Sequence, residues 1–247
     1  MLQNRRGLSI AWDGRLDNRD DIRLRLPADS GHASDPDLAL ASFDRWGTAG
    51  LRSLIGDWSL AIDDAGRRVL HLARDYMGAR PLYYCAAEQG GSWSRDLGEL
   101  VDRCGRQDAL SDLFAARFMS LRPLPGITPY EGVHAVAPGT CVSIDAAGNE
   151  THLRFWTIAA GEIRYPDPAA YEEHLRALWR EAVGARLRVD GTVWAEVSGG
   201  LDSSSVVCMA DRLIRWGCVQ AGGLRLVSHA TLESPEGDER RFIAEVE

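Results

Sequence analysis

Residues 197–207 read VSGGLDSSSVV. An apolar approach ends in Ser198, Gly199 and Gly200, and Asp202 with the hydroxyls of Ser203 and Ser204 follows at the head of a helical pattern. A strand that turns tightly into a helix leaves several backbone N–H groups without partners. Together with the helix dipole they make a seat for an anion. The two glycines let the backbone turn and let a ligand come close, because no Cβ stands in the way. Ser198, Ser203 and Ser204 add hydroxyl donors. Every part suits a phosphate except the Asp202 carboxylate, and a Mg2+ ion shared between carboxylate and phosphate oxygens removes that conflict. The stretch has neither the Gly-Lys-Ser/Thr of a Walker loop nor a Gly-x-Gly-x-x-Gly fingerprint. The plainer reading is a Ser/Asp cap after a glycine turn. The strand–turn–helix context favours the phosphate seat.

Working outward, Asp167-Pro168 opens a helix whose apolar stripe is Tyr171, Leu175, Leu178, Trp179, Ala182, Val183 and Leu187. After Asp190-Gly191 come the strand TVWAEV, the glycine turn, a helix to Trp216 and a strand around LRLVSHATL (224–232). This alternation predicts a parallel sheet with crossover helices. Upstream the pattern differs. LSIAW (8–12) reads as a strand entering a turn at Asp13-Gly14. Ser34 caps a helix with Pro36 in its first turn, Leu38, Phe43 and Trp46 on one side, and Gly47 as its stop. WSLAID (58–63) and RVLHLA (68–73) read as a hairpin closed by Asp64-Ala65-Gly66. A strand at 81–85, a helix over 107–121 and a strand at 139–145 complete this part. The periodicity breaks between Arg154 and Pro168, which sets expected domains of 1–155 and 165–247.

Length supports two domains, since 247 residues exceed the ~100–200 of one. A net charge of −8 with no basic patch argues against a nucleic-acid partner. No apolar run approaches the ~18 residues of a membrane span, and the start has no secretory pattern. The five cysteines, 85, 104, 141, 208 and 218, form no Cys-x-x-Cys. Reduced cytoplasmic thiols are therefore the expectation, and no metal-ligand spacing appears among the histidines.

SGGLDSS resembles the pyrophosphate-binding loop of the adenine-nucleotide α-hydrolase-like ATP pyrophosphatases. AWDGRLDNRDDI (11–22), SDPDLALASFDRWG (34–47), LARDYMGARPLYY (72–84) and GVHAVAPGTCVSI (132–144) resemble the glutamine-amidotransferase half of asparagine synthetases. The resemblance runs through nearly the whole chain in order. It implies an α/β protein in two modules. The first is a four-layer αββα module of the N-terminal-nucleophile-hydrolase type with antiparallel sheets, which makes ammonia from glutamine. The second is the start of a parallel-sheet domain that adenylates a carboxylate with ATP and Mg2+, releases pyrophosphate, and lets an amine displace AMP. Carried over by residue, Ser198, Gly199, Gly200, Asp202 and Ser203 would hold pyrophosphate, with Asp202 on Mg2+. Val197, Ala230 and Thr231 would meet adenine and ribose.

Three departures from the family bear on function. The family's glutaminase uses an N-terminal cysteine, and here the chain opens Met1-Leu2-Gln3. Its oxyanion hole uses Asn-Gly, and here the matching pair is Asp13-Gly14, which puts a carboxylate where charge would develop. Asp35 matches the ligand of the glutamine α-amine, and it equally reads as a first-turn acid favoured by the helix dipole. Loss of glutaminase activity is the expectation. Only two parallel strands fit before Glu247, so both ends are expected to be incomplete: either the sequence is a fragment or truncated reading frame, or another chain completes the second module.

Three functions stay open. One is an asparagine-synthetase-type ligase. The second is the macrolactam cyclase of lasso peptides, which joins a peptide's own amine to its acidic side chain and needs no glutaminase. The third is an inactive remnant that serves as a binding module. The expected partners are a small-molecule or peptide carboxylate, a completing chain and a second copy as a homodimer, with neither nucleic acid nor membrane.

Overall fold

The computed structural model describes residues 2–5, 7–27, 33–87, 90–229 and 240–246, and its chain forms two compact units, Met1–Ala160 and Gly161–Glu247. The first unit runs β1 (Leu2–Arg5), β2 (Leu8–Leu16), α1 (Arg19–Arg25), α2 (Asp35–Trp46), α3 (Thr48–Leu51), β3 (Gly56–Asp64) and β4 (Val69–Arg74). It continues with β5 (Tyr83–Ala87), β6 (Gly90–Ser94), α4 (Leu97–Cys104), α5 (Asp112–Met119), β7 (His134–Ala135), β8 (Thr140–Asp145) and β9 (Glu150–Arg154). Two antiparallel sheets result, one six-stranded in the order β1-β2-β3-β4-β8-β9 and one three-stranded in the order β6-β5-β7. Ile10 pairs with Ile62, Ile62 with His71 and His71 with Ser143, a row straight across the large sheet.

Alternation along the strands builds two cores. Ile10, Trp58, Leu60 and Ile62 bury one face of the large sheet against Leu38, Leu40 and Phe43 of α2. Ala61, Leu72, Val142 and Ile144 bury the other against Tyr84 on the small sheet and Leu82 just before it. Leu100 and Val101 of α4 cover the small sheet's outer face, where Tyr83 packs. The layers are helix, sheet, sheet, helix, the αββα arrangement.

Local signals account for α2: the Asp37 carboxylate accepts the Ser34 N–H at 3.0 Å and the Ser34 hydroxyl at 2.5 Å, Pro36 stands in the first turn, and Gly47 ends it. Two expectations need correction. Asp13-Gly14 is no turn; both residues lie inside β2, paired with Ser59 and Trp58. Gly14 has φ +139°, and a Cβ there would stand 2.0 Å from the Asp57 carbonyl oxygen, so glycine serves a close strand approach. The helix read over 107–121 is confined to α5, because Leu110 bridges to Tyr130 and the Ser111 N–H bonds the Pro129 carbonyl instead. The helix α4 and strand β6 were missed altogether.

The second unit holds α6 (Pro168–Arg186), β10 (Thr192–Glu196), α7 (Leu201–Arg215), β11 (Gly223–Val227) and α8 (Arg240–Ala244). β10 and β11 pair in parallel through the α7 crossover, as the alternation required. Val193 and Leu224 pack with Val183, Leu187, Ala210 and Leu213 on one face of the pair. On the opposite face Trp194 is 62% and Val227 41% exposed. Of the stripe on α6, Val183 and Leu187 are buried, whereas Tyr171, Leu175 and Leu178 remain exposed. Among the described residues no helix is long and apolar enough to cross a membrane.

Candidate functional site

The phosphate-type turn begins at Val197, which is fully buried and whose N–H bonds the Val227 carbonyl at 2.9 Å, one step beyond β10. The turn therefore leaves at the carboxyl end of a parallel pair, the edge where α/β sheets bind ligands. Gly200 is the cap of α7, in extended backbone, and the Ser204 N–H to Gly200 carbonyl bond at 3.1 Å starts the helix. Ser203 folds back over the turn. Its Oγ accepts the Ser198 N–H at 3.1 Å and stands 3.0 Å from the Ser198 Oγ. The Gly200 N–H in turn points to the Ser198 Oγ at 3.4 Å. Asp202, in the first turn, is exposed, and Ser204 Oγ is buried without a partner among the described residues.

The turn's two glycines divide their work. Gly199 has φ +73°, and a Cβ there would lie 2.5 Å from Phe242 Cβ and 2.9 Å from the Ile243 backbone nitrogen. Its bareness serves the packing of α8. A Cβ on Gly200 would meet nothing nearer than the Ser198 Oγ at 3.4 Å, so the open side of the turn is at Gly200 and Asp202. Asp202 also borders a groove of about 650 Å3 between α6 and α7, with Arg176 and Arg212. Ala230 and Thr231 lie outside the described residues. The sequence reading missed a pair beside the turn: His229 Nε2 stands 3.5 Å from Glu196 Oε1, Glu196 being the last residue of β10 and His229 lying two residues past β11. Only the parallel register brings these two together, so no local signal marks them.

In the first unit a cavity of about 560 Å3 opens between the sheets, lined by Trp12, Asp13, Ser59, Trp93, Arg95 and Arg103 among others. Alternation on β2 puts Asp13 on the Ala11 side, facing inward between the sheets. Arg95, following β6, reaches it at 3.6 Å. Below them Glu99 accepts the Ser94 hydroxyl at 2.7 Å and Arg103 at 2.5 Å. The Ser94 hydroxyl first, and then Arg103, hold the Glu99 carboxyl below its ordinary range. The wall is polar and balanced in charge. Asp35 does not join this cavity. Its Oδ2 accepts the Leu16 N–H at 2.9 Å and its Oδ1 meets Arg19 Nε at 3.1 Å, an ionic contact off the hydrogen-bonding direction. Of the expected pocket remnant, Asp13 faces the cavity and Asp35 ties α2 to the end of β2.

The first unit is an αββα sandwich of antiparallel sheets, the fold class of amidotransferase domains, and the second carries a parallel pair with a glycine–serine turn. Residues 1–156 match the glutamine amidotransferase domain family, and the chain belongs to it. Residues 174–247 match the asparagine synthase family. The chain is 28% identical over 219 residues to asparagine synthetase (glutamine-hydrolyzing) 3 of Bacillus subtilis, covering 82% of this chain and 33% of the relative. It is 30% identical over 233 residues to carboxyethyl-arginine beta-lactam-synthase of Streptomyces clavuligerus, covering 94% of this chain and 42% of that one. The glutamine phosphoribosylpyrophosphate amidotransferase structure from B. subtilis aligns with 92% of this chain and 47% of its own, at 16% identity and a TM-score of 0.43. The chain thus spans about a third of the length of the first of these relatives.

Proposed function

We propose that this chain belongs to the working parts of an ATP-dependent amide-forming enzyme, which activates a carboxylate with release of pyrophosphate before an amine displaces AMP. The observation that carries this is the Ser198–Ser203 turn at the carboxyl end of the parallel pair, with Asp202 in the first turn of α7. The residues fit a magnesium-bound pyrophosphate. Ser198 and Ser203 shape the turn through their hydroxyls, Ser204 Oγ has no partner among the described residues, and the Gly200 side is open. Asp202 would hold Mg2+, which when bound neutralises charge between the carboxylate and phosphate oxygens. The turn's own contribution is to steady the leaving pyrophosphate by donated hydrogen bonds, which is positioning and charge stabilisation. Pyrophosphate release from ATP and Mg2+, with aspartate as the carboxylate, tests the reading on the full chain. Release that falls by about 10²-fold in Asp202→Ala supports it. No release and no Mg2+-dependent ATP binding would leave the binding-module reading in its place.

A second reading concerns the amine. The Asp13 carboxylate and its Arg95 partner stand where the resemblance puts an amide donor for an oxyanion, which disfavours glutamine hydrolysis. The name of the beta-lactam-synthase relative points to ring closure, in which the substrate supplies its own amine. A lasso-type macrolactam closure on a peptide carboxylate is chemistry of the same kind. Glutamine turnover by the full chain tests this: ammonia release at a rate typical of glutaminases would restore an external amine source.

A further inference from the structure

Two thiols stand on facing elements where α4 packs on the small sheet. On β5 Tyr84 points between the sheets, packing with Leu72 and Ile144. Alternation turns Tyr83 and Cys85 the other way, toward α4. The helix answers with Leu97, Leu100, Val101 and Cys104, the spacing of one helical stripe, and these residues share a cluster with Tyr83. Both thiols are free; Cys85 is buried and Cys104 half-buried. Burial first, and then the neighbouring Cys85 thiol, hold the Cys104 thiol above its ordinary range.

We infer that Cys85 and Cys104 close into a disulfide on exposure to a low-molecular-weight disulfide, fastening the end of α4 to β5. Cys104, the more accessible, attacks one sulfur of glutathione disulfide as the thiolate and expels one glutathione thiolate. The Cys85 sulfur then attacks Cys104 and expels the second. Two protein thiols lose two electrons and two protons, and one glutathione disulfide becomes two glutathione thiols. With the Cys104 pKa raised, the thiolate is scarce at neutral pH, so exchange is slow and quickens as pH rises. The bond acts on the cavity through the neighbouring residue. Arg103 donates to the Trp93 carbonyl at 3.2 Å and to Glu99, and all three line the cavity that holds Asp13. Oxidation pins that wall.

The full chain is treated with glutathione disulfide at pH 8.5, blocked with iodoacetamide, and digested with trypsin without reductant. The expected product is peptide 75–95 joined to peptide 104–106, two mass units below their sum and absent after dithiothreitol or in Cys104→Ser. The melting temperature should rise by about 5 °C on oxidation and fall back on reduction. Alkylation of both Cys85 and Cys104 after treatment, or a stable glutathione adduct on Cys104 with Cys85 alkylated, overturns the inference.

Discussion

The Asp75 carboxylate accepts the Trp58 N–H at 3.1 Å, joining the end of β4 to the most buried tryptophan of the sandwich. The same carboxylate takes the N–H groups of Met77 at 2.7 Å, Gly78 at 2.8 Å and Ala79 at 3.1 Å, and Asp75 itself is fully buried. Four backbone donors thus converge on one side chain. Asp75→Ala leaves all four without it at a cost of about 1–3 kcal/mol for each donor that stays buried. The Trp58 N–H is buried while Met77 and Ala79 are exposed to water, so a loss of about 1–3 kcal/mol is expected in urea titration. A loss under about 1 kcal/mol would show that water replaces the carboxylate freely.

Leu121 ends α5 in the left-handed region, φ +56°. The Arg122 N–H bonds the Arg117 carbonyl at 2.9 Å and the Leu121 N–H bonds that of Phe118 at 3.0 Å, the paired closure for which glycine is favoured. The leucine is 88% exposed, so its side chain contributes little packing that truncation could remove. Leu121→Gly should therefore stabilise the fold by about 0.5–1 kcal/mol, the relief of left-handed strain less the greater freedom of the unfolded glycine. Equal or lower stability in chemical denaturation contradicts this account of the turn.

His71 supplies a pH dependence. Its ring packs on Phe43 with centroids 4.9 Å apart, and its Nδ1 lies 2.8 Å from Ser143 Oγ. Burial, opposed by the Asp64 charge, lowers its pKa from the ordinary value. The unfolded chain then binds the proton more readily than the folded one. Stability is complete above the unfolded value of about 6.5 and is lost as pH falls below it, until the folded form also protonates. His71→Gln should flatten the fall in stability between pH 7 and pH 5. An unchanged slope would assign that fall to other groups.

What the sequence disclosed follows the range of the causes. The cap at Ser34 with Asp37, Pro36 and Gly47 is settled within one turn of chain, and α2 was legible to the residue. The Asp167 cap and the Asp64–Gly66 turn are equally local. Gly14 was misread because its reason is the Asp57 carbonyl, on another strand. Helix α4 carried a readable signal, Asp96 accepting the Glu99 N–H at 2.8 Å and Gly105 closing the end, but it was eclipsed by the apolar Leu110, Leu113, Phe114 and Phe118 downstream. In the second unit the order of elements gave the parallel pairing, while the Glu196–His229 pair and the fit of Phe242 over Gly199 needed the register and α8.

Gly199 is the position where fold and proposed function meet, and its substitution separates them. Alanine there must adopt φ +73° and place a Cβ 2.5 Å from Phe242 Cβ and 2.9 Å from the Ile243 nitrogen. The strain of the left-handed region costs about 1–2 kcal/mol, and the overlap adds displacement of α8, because a backbone nitrogen cannot swing aside as a side chain can. Gly199→Ala should raise amide exchange across α8 and lower the second unit's stability by about 2–4 kcal/mol. Phe242→Gly in the same chain removes the nearest overlap but neither the Ile243 contact nor the φ strain, so recovery should be partial. Gly200→Ala is the contrast: with extended backbone and no contact under 3.4 Å, it should leave α8 in place. On the proposed reading it obstructs the open side of the turn and weakens Mg2+-dependent ATP binding. Full stability in Gly199→Ala would mean that α8 does not pack on the turn in solution, and unaltered nucleotide binding in a folded Gly200→Ala would place any phosphate elsewhere.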